Sequence, residues 1–327
     1  MSLLYGGQML YLNEEEVFQA VELKEIIEAI EKSMRLYESE DFEMPTRMHM
    51  DYDGNTLLLM PSSAEKKVGA KLLTITPANR EKDISMIQGC YILSDGVTGE
   101  MLSIINASSL TALRTGAIGA VSLKHMTSRD IDSVGVIGAG VQGYHQALYA
   151  LEVRNLENLW VYDIDEDQLD EFSRKLNQQN VDTEIHKARS STELVKNSGV
   201  VITTTTSTEP VVPDEPGLIK GKHFIGIGSY RPEMRELPRA VFKEVEKVMI
   251  DTEDALEETG DLITPLEKGW IKENQIYTIG KLLEGNVDVD FSGTTLFKSV
   301  GMALFDLVAV DLVYEEAEKK GLGTELQ

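Results

Sequence analysis

Apolar residues recur along the first third of the chain at spacings that predict both helices and strands. Between residues 23 and 37 they follow a period of three to four, which is typical of an amphipathic helix. Residues 107–125 predict one long helix. Between these helices, the turn residues 95–99 separate two apolar runs and predict a hairpin. Strands are predicted at 56–60, 70–75, 89–93 and 100–104.

The pattern changes at residue 133, where short and continuously apolar strands begin to alternate with helices. Apolar strands joined by helices are typical of a parallel sheet that is covered on both faces. Residues from about 295 to 320 predict a last helix, which we expect to return to the first domain. The strands are predicted at 133–137, 158–162, 181–186, 199–206, 224–227 and 247–250, and the helices between them at 141–152, 166–178 and 190–197.

The expected fold is therefore α/β, with a Rossmann-type doubly wound parallel sheet plus a second, α+β domain. We place the α+β domain at residues 1–115, completed by residues from about 300 to 327. The Rossmann domain is expected to span residues 116–299. The length of 327 residues also favours two domains over a single core.

Charge and composition argue against several classes of partner. The chain has 55 acidic and 31 basic residues and a formal net charge of −24, so we expect neither nucleic acid nor a membrane as a partner. The single cysteine, Cys90, cannot form an intrachain disulfide, which favours a reducing, cytoplasmic compartment. Its apolar neighbours predict a buried thiol. The five histidines form no ligand-spaced pair, so no metal site is expected.

The sharpest chemical signal is a glycine-rich turn that follows the predicted strand 133–137 and opens a helix. Gly138 allows the tight turn, Gly140 lets the backbone approach a pyrophosphate, and Gly143 lets the helix pack close to the strand. The helix N-terminus then offers N–H groups and partial positive charge to the phosphates. This context predicts a dinucleotide site.

Asp163 supplies the second half of the dinucleotide pattern, 20 residues after Gly143 and at the end of the next predicted strand. A carboxylate there accepts hydrogen bonds from the ribose hydroxyls of NAD and repels the 2′-phosphate of NADP. No lysine or arginine follows until Arg174, so NAD is the expected cofactor. Threonines 203–206 end another predicted strand, and we expect at least one to contact the cofactor, although threonine is also simply a strand former.

Four further blocks follow one another in the order of a known family. They are Pro45-Thr46-Arg47 with Met60-Pro61, Gly69-Ala70-Lys71, the run Leu110-Thr111-Ala112-Leu113-Arg114-Thr115-Gly116-Ala117, and Lys298-Ser299-Val300-Gly301-Met302-Ala303. With the glycine-rich turn, they resemble the ornithine cyclodeaminase/μ-crystallin family over nearly the whole chain. That family also contains an archaeal type of alanine dehydrogenase and reductases of cyclic ketimines.

The resemblance implies a role for individual residues. Arg47, Lys71 and Arg114 are expected to bind a substrate carboxylate, with Val300 beside the substrate. It also implies a homodimer built through the N-terminal domain, which would then serve substrate binding and dimerisation. Together with the glycine-rich turn, it gives these expected cofactor contacts: Arg114, Thr115, Gly138, Gly140, Val141, Gln142, Asp163, Thr204, Ile227, Gly228 and Ser299. Of these, the resemblance places Asp163 at the adenosine ribose and Thr204 on the adenine side, and it places Ile227, Gly228 and Ser299 near the nicotinamide ribose.

The three basic residues also have a physical rationale of their own. An arginine matches a carboxylate with two parallel hydrogen bonds. A lysine among arginines has a lowered pKa, which suits it to proton transfer. Composition alone would allow each of them to be a surface charge or a salt-bridge partner of one of the 55 acids.

Two positions depart from the pattern that the resemblance implies. In ornithine cyclodeaminases proper, a glutamate two residues before the Met-Pro pair holds the substrate's side-chain amine, and an aspartate in a Gly-Gly-Asp segment is the general base. This chain has Leu58 and Tyr230 at those positions. An unpaired ammonium beside Leu58 would be costly, so we expect ornithine to be a poor substrate.

The expected reaction is the NADH-dependent reduction of a cyclic imino acid such as Δ1-pyrroline-2-carboxylate or Δ1-piperideine-2-carboxylate. Lys71 is the predicted catalytic proton donor, with water or Tyr230 as alternatives. An alanine dehydrogenase or an ornithine cyclodeaminase is the alternative within enzymes. A μ-crystallin-like binding protein is the alternative of another class, although the retained basic residues favour chemistry.

Overall fold

The computed structural model describes residues 9–82, 84–179 and 182–326. The chain divides into two compact units, Met1–Arg114 with Met302–Gln327, and Thr115–Gly301. We call them the first unit and the second unit. The first unit is discontinuous in sequence because the C-terminal segment packs with the N-terminal residues.

The strands are short and fall into two sheets. They are β1 (Met9–Leu12), β2 (Phe42–Glu43), β3 (Met48–Tyr52), β4 (Asn55–Ala64), β5 (Lys67–Ile75), β6 (Ile87–Asp95), β7 (Met101–Asn106), β8 (Ser133–Ile137), β9 (Asn158–Tyr162), β10 (Glu184–Lys187), β11 (Val200–Thr203), β12 (His223–Gly226), β13 (Val245–Ile250), β14 (Ile276–Thr278), β15 (Thr294–Lys298) and β16 (Thr324–Leu326).

The helices range from single turns to five turns, and none in the described part of the chain is long and apolar enough to cross a membrane. They are α1 (Glu14–Ala20), α2 (Leu23–Ser39), α3 (Ala107–Met126), α4 (Val141–Val153), α5 (Glu166–Asn177), α6 (Ser191–Asn197), α7 (Pro216–Ile219), α8 (Arg239–Glu244), α9 (Ala255–Glu258), α10 (Gly260–Glu267), α11 (Ile279–Leu283) and α12 (Ala303–Lys320), with 3₁₀ turns at Pro77–Glu81 and Glu273–Gln275.

The sheet of the first unit is mostly antiparallel. Its order is β16-β1-β7-β6-β5-β4-β2, and β3 pairs with β4. The buried residues of β4 to β7 alternate with more exposed ones, as expected where one face of a sheet carries the core. Helix α12 packs on β4, β5 and β6, and α1 and α2 pack on α12. The predicted hairpin is confirmed, since β6 and β7 pair antiparallel across residues 95–100.

The sheet of the second unit is parallel throughout its described pairs, in the order β10-β9-β8-β11-β12-β15-β13-β14. The chain winds outward from β8 in one direction through β9 and β10, and in the other through β11 and β12. Ligands of such sheets bind at the carboxyl ends of the strands where the winding reverses, here between β8 and β11. The predicted Rossmann-type fold is confirmed.

Several predictions about elements and burial differ from the structure. The predicted helix 295–320 is wrong at its start, because residues 294–298 form the fully buried strand β15 between β12 and β13. A short apolar run that leads into a helix cannot be separated from it by periodicity alone. Cys90 is half-buried rather than buried, and this partial burial raises the pKa of its thiol. The predicted strand 181–186 begins at a residue outside the described ones, and β10 starts at Glu184.

Candidate active site

The glycine-rich turn has the geometry that a dinucleotide site needs. Gly138 has a φ of +104°, and a side chain there would lie 2.7 Å from the hydroxyl oxygen of Thr204. A Cβ on Gly143 would lie 1.9 Å from the Gly138 carbonyl oxygen. Gly140, by contrast, faces open space, where the nearest atom to an added Cβ is 3.7 Å away. The two crowded glycines let the turn form, and the open one leaves room for a pyrophosphate.

Asp163 and Thr204 brace this turn from two sides. The Ala139 N–H donates to the Asp163 carboxylate at 2.6 Å, and the Asp165 N–H donates to the other oxygen at 2.9 Å. The Thr204 hydroxyl donates to the Gly138 carbonyl at 2.9 Å. The sequence placed these residues near the cofactor, and the structure places both against the turn itself.

Helix α4 begins directly after the turn. Gly140 is its N-cap, and Val141 at its first position is 66% exposed. The N–H groups in the first turn of an α-helix have no partner within the helix and carry partial positive charge. Val141 and Gln142 therefore present N–H groups at the mouth of the turn, which fits the phosphates of NAD.

The loops after β12 and β15 carry three further predicted cofactor contacts. Ile227 and Gly228 follow β12, and Ser299 follows β15. The Ser299 hydroxyl donates to the Asp251 carboxylate at 2.6 Å, and the N–H groups of Val300 and Gly301 donate to the same oxygen at 3.1 and 2.7 Å. Burial raises the pKa of Asp251, and these donors oppose that rise. Sequence reasoning did not find Asp251.

Two of the three predicted carboxylate-binding residues meet on one buried carboxylate in the first unit. Lys71 on β5 donates from Nζ to Asp306 Oδ2 at 2.6 Å. Arg114 on α3 donates from Nε to Asp306 Oδ1 at 3.1 Å. All three residues are buried, and Asp306 has no solvent-exposed surface. We call Lys71, Arg114 and Asp306 the buried triad.

The charges of the triad stabilise one another in a site from which solvent is excluded. Burial lowers the pKa of Lys71, Asp306 opposes this, and the charges of Arg114 and Arg47 add to the lowering, so that the pKa is about 8. Burial alone would raise the pKa of Asp306, but Lys71 and Arg114 outweigh it and lower that pKa. The sequence prediction attributed the lowered pKa of Lys71 to neighbouring arginines, whereas burial is the larger cause.

Arg47 lies just before β3 and is half-buried. Its charge lowers the pKa of Lys71, so it lies within electrostatic reach of the triad. Asp306 was missed from the sequence. It stands alone among the apolar residues 303–310 at the start of α12, and an isolated acid in an apolar helix was the available signal.

The comparisons with known proteins show the family of the chain. The model of the ornithine cyclodeaminase/mu-crystallin family matches residues 8–321. The chain belongs to that family. It is 32% identical over 329 residues to a Delta(1)-pyrroline-2-carboxylate reductase of Bacillus cereus, covering 98% of this chain and 100% of the relative. The resemblance predicted from the sequence blocks is thus confirmed.

Two solved members of the ornithine cyclodeaminase/mu-crystallin family have closely similar folds. The Thermococcus litoralis Delta(1)-pyrroline-2-carboxylate reductase, in complex with NADH and L-proline, gives a TM-score of 0.90 at 31% identity over 97% of this chain and 100% of its own. An archaeal alanine dehydrogenase dimer with bound NAD gives 0.90 at 26% identity over 98% and 99%.

The two departures from the cyclodeaminase pattern of the family are clear in the structure. Leu58 on β4 is buried and packs in an apolar cluster with Met60, Leu73, Ala107 and Ala303. Tyr230 follows the β12 loop and is half-buried, with the Arg231 guanidinium 5.7 Å from its ring centroid. Among the residues described, no group of three or more His, Cys, Asp or Glu side chains is placed to hold a metal ion.

Proposed function

We propose that this chain is an NAD(H)-dependent oxidoreductase that reduces a cyclic imino acid of the Δ1-pyrroline-2-carboxylate or Δ1-piperideine-2-carboxylate type to the amino acid. The observation that carries the proposal is the buried triad, with Arg47 in electrostatic reach. The Thermococcus litoralis relative, which binds NADH and L-proline, supports the choice of a cyclic substrate.

The triad suits recognition of a substrate carboxylate. Asp306 engages the Nε of Arg114, so the guanidinium edge formed by Nη1 and Nη2 is the one suited to a substrate. Together with Arg47, the triad brings three cations near one carboxylate. This leaves a local positive charge in a chain whose net charge is −24. An anionic substrate is therefore attracted only close to this cluster, since salt screens the far field within roughly 8–10 Å.

Lys71 is the proposed proton donor. When bound, the cofactor supplies the hydride that reduces the imine carbon. The imine nitrogen must gain a proton, and Lys71, with a pKa of about 8, is mostly protonated at neutral pH. The Lys71 ammonium gives up that proton and later takes up another from solvent. Asp306 holds the Lys71 side chain in place. Val300 at the end of the β15 loop is proposed to lie beside the substrate.

The proposed cofactor site comprises the glycine-rich turn, Asp163 and the loops after β11, β12 and β15. NAD(H) is favoured over NADP(H) because the Asp163 carboxylate would meet the 2′-phosphate of NADP with like charge. Arg114 and Thr115 are proposed to approach the cofactor from α3. The proposed residues in the second unit are Thr115, Gly138, Gly140, Val141, Gln142, Asp163, Thr204, Ile227, Gly228 and Ser299.

The test is a panel of substrates under matched conditions. NADH oxidation should be rapid with Δ1-pyrroline-2-carboxylate or Δ1-piperideine-2-carboxylate and slower with pyruvate plus ammonia. L-ornithine with NAD should release little ammonia, because apolar Leu58 cannot pair with a side-chain ammonium. Faster turnover of pyruvate plus ammonia would make the chain an alanine dehydrogenase. Tight binding of all carboxylates without turnover would favour a binding protein.

A homodimer in the cytoplasm is also proposed, with the first unit as its interface. The face of the first sheet opposite α12 carries apolar side chains that solvent reaches, among them Met48, Met50, Val68 and Leu72. Exposed apolar surface of this kind is typical of a protein–protein interface, and the archaeal alanine dehydrogenase is a dimer. Leu72→Glu should convert the dimer to a monomer in light scattering, and a wild-type monomer would contradict the proposal.

A further inference from the structure

A second buried carboxylate, outside the triad, joins two loops of the second unit. Glu236 has no exposed surface. One of its oxygens accepts from the Thr205 N–H at 2.6 Å and the Thr205 hydroxyl at 2.9 Å. The other accepts from the N–H groups of Gly228 at 2.8 Å and Ser229 at 3.0 Å. Glu236 thus ties the loop after β11 to the loop after β12.

The two loops are in direct backbone contact at this point. A Cβ added to Gly228 would lie 2.1 Å from the Thr205 carbonyl oxygen and 2.3 Å from its nitrogen. Two N–H groups on one loop and one on the other all face the same small space. Without an acceptor between them, these buried donors would be unsatisfied.

Glu236 is itself held rigidly by a network. Asp261 accepts from the N–H groups of Glu236 and Leu237, each at 2.9 Å. Lys298 on β15 lies 3.6 Å from the other Asp261 oxygen and donates to the Gly226 carbonyl at 3.2 Å. Burial raises the pKa of both Glu236 and Asp261, and the Lys298 charge opposes both rises. The network reaches three neighbouring strands at their carboxyl ends.

This location gives the network a function beyond stability. Buried ionic groups add little net stability compared with apolar packing of the same volume. Here they lie under the loops at the carboxyl edge, where a doubly wound sheet binds its ligand. The neighbouring Thr204 is anchored independently, by its N–H to Ile137 and its hydroxyl to Gly138, each at 2.9 Å. Loss of Glu236 would therefore free the loop at Gly228 and Ser229 more than it would free Thr204, which is expected on the adenine side of the cofactor.

We propose that Glu236 is a positioning residue that holds the Gly228–Ser229 loop in place for the nicotinamide half of the cofactor. This inference rests on the proposed use of NAD(H). It assigns Glu236 no direct contact with the reacting atoms. Asp261 and Lys298 act behind it, because Asp261 binds the backbone N–H groups of Glu236 and Leu237 and Lys298 pairs with Asp261.

The test compares two ligands, NADH and ADP, which lacks both the nicotinamide and its ribose. Glu236→Gln keeps the shape but turns an NH₂ group toward the N–H donors of one loop. We expect its Kd for NADH to rise at least tenfold and its Kd for ADP to rise less than threefold. Thr205→Val removes one of the four hydrogen bonds that the Glu236 carboxylate accepts. It should weaken NADH binding two- to fivefold, and again more than it weakens ADP binding.

Thr295→Val is the matched control. The Thr295 hydroxyl pairs with buried His223 at 2.8 Å, at the amino ends of β12 and β15, so this variant also removes a buried hydroxyl partner. It should lower the melting temperature and leave both dissociation constants unchanged. If Glu236→Gln does not fold, the comparison of Thr205→Val with Thr295→Val decides.

Two outcomes would overturn the inference: wild-type NADH affinity in folded Glu236→Gln and Thr205→Val, or equal losses for NADH and ADP. The titrations need no substrate, so a wild type that binds NADH but reduces no cyclic imino acid would contradict only the proposed reaction. A wild type that does not bind NADH would contradict the proposed function itself.

Discussion

Lys71 and Asp306 form an ion pair that is almost completely removed from solvent, with 2.6 Å between Nζ and Oδ2. Their side chains are 2% and 0% exposed. The same strand and helix carry a second pair, Lys67 and Asp311, whose side chains are 19% and 26% exposed. The two pairs have the same chemistry and differ in burial, so they provide a matched comparison.

Asp306→Asn should destabilise the protein far more than Asp311→Asn. Removing one partner of a buried pair leaves an uncompensated charge and costs about 3–5 kcal/mol. Loss of a solvent-exposed pair costs about 0–1 kcal/mol, and Lys67 and Asp311 are partly exposed. Urea unfolding of both variants at neutral pH measures the difference. Equal shifts would mean that the triad contributes no more than a surface pair.

The pH dependence of imine reduction should report Lys71. The protonated lysine is the proposed donor, so kcat/KM should be constant at neutral pH and fall as pH rises through the Lys71 pKa of about 8. Asp306 raises that pKa, so in Asp306→Asn the fall should begin at lower pH. Steady-state kinetics with a cyclic imine between pH 6 and 10 measure both.

Two variants test whether this fall in kcat/KM at high pH reports Lys71 or another group. In Tyr230→Phe, kcat/KM should fall at the same pH as in wild type. If the fall is absent or shifted in that variant, Tyr230 is the proton donor. If kcat/KM of Asp306→Asn falls at the same pH as in wild type, the fall reports the substrate imine, and the role proposed for Lys71 is wrong.

Arg47 and Arg114 should act as one carboxylate site. Arg47→Ala should lower kcat/KM by roughly tenfold to a thousandfold, because a charge-assisted hydrogen bond of about 1.5–3 kcal/mol is lost together with substrate orientation. Arg114→Lys keeps the charge but loses the planar fork, so it should not be active. NADH titration should give an unchanged Kd for Arg47→Ala and a weaker one for Arg114→Ala.

Lys67→Ala serves as the control for the arginine variants, because it removes a cation from the same unit whose partner is Asp311. Its catalytic efficiency should remain within about twofold of wild type, since partly exposed pairs contribute little. Unchanged efficiency in Arg47→Ala toward carboxylate substrates would argue against a shared site.

The cofactor turn could be predicted from the sequence because its residues are neighbours along the chain. Gly138, Gly140 and Gly143 follow a strand and open a helix, and Asp163 directly follows the next strand. The signal is local, so sequence spacing is enough to find it. The parallel direction of the strands in the second sheet followed from the same alternation of strands and helices.

The partners of the basic residues could not be found in this way. Asp306 lies 235 residues from Lys71, and only the packing of α12 on β5 brings them together. Glu236 lies 31 residues from Thr205 in an irregular segment without periodicity. Asp306 had only its apolar neighbours as a signal, and Glu236 has no such surroundings to set it apart from the other acids among the 55 in this chain.

The cofactor preference should reside in Asp163. Its carboxylate lies at the end of β9 and accepts from Ala139 and Asp165, so the negative charge is fixed beside the turn. Wild type should therefore use NADH at least tenfold more efficiently than NADPH. Asp163→Ser removes the repulsion of a 2′-phosphate, and Ile164, which is 91% exposed, offers the adjacent site for a cation.

Asp163→Ser combined with Ile164→Arg should raise kcat/KM with NADPH by about tenfold or more, since a charge-assisted hydrogen bond to phosphate adds about 1.5–3 kcal/mol. Ile164→Arg alone is the control. It keeps Asp163 and should gain little with NADPH, because the carboxylate still faces the phosphate and pairs with the new arginine. The measurement is kcat/KM for each cofactor at a saturating imino acid. A wild type that prefers NADPH tenfold or more would show that Asp163 does not exclude the phosphate.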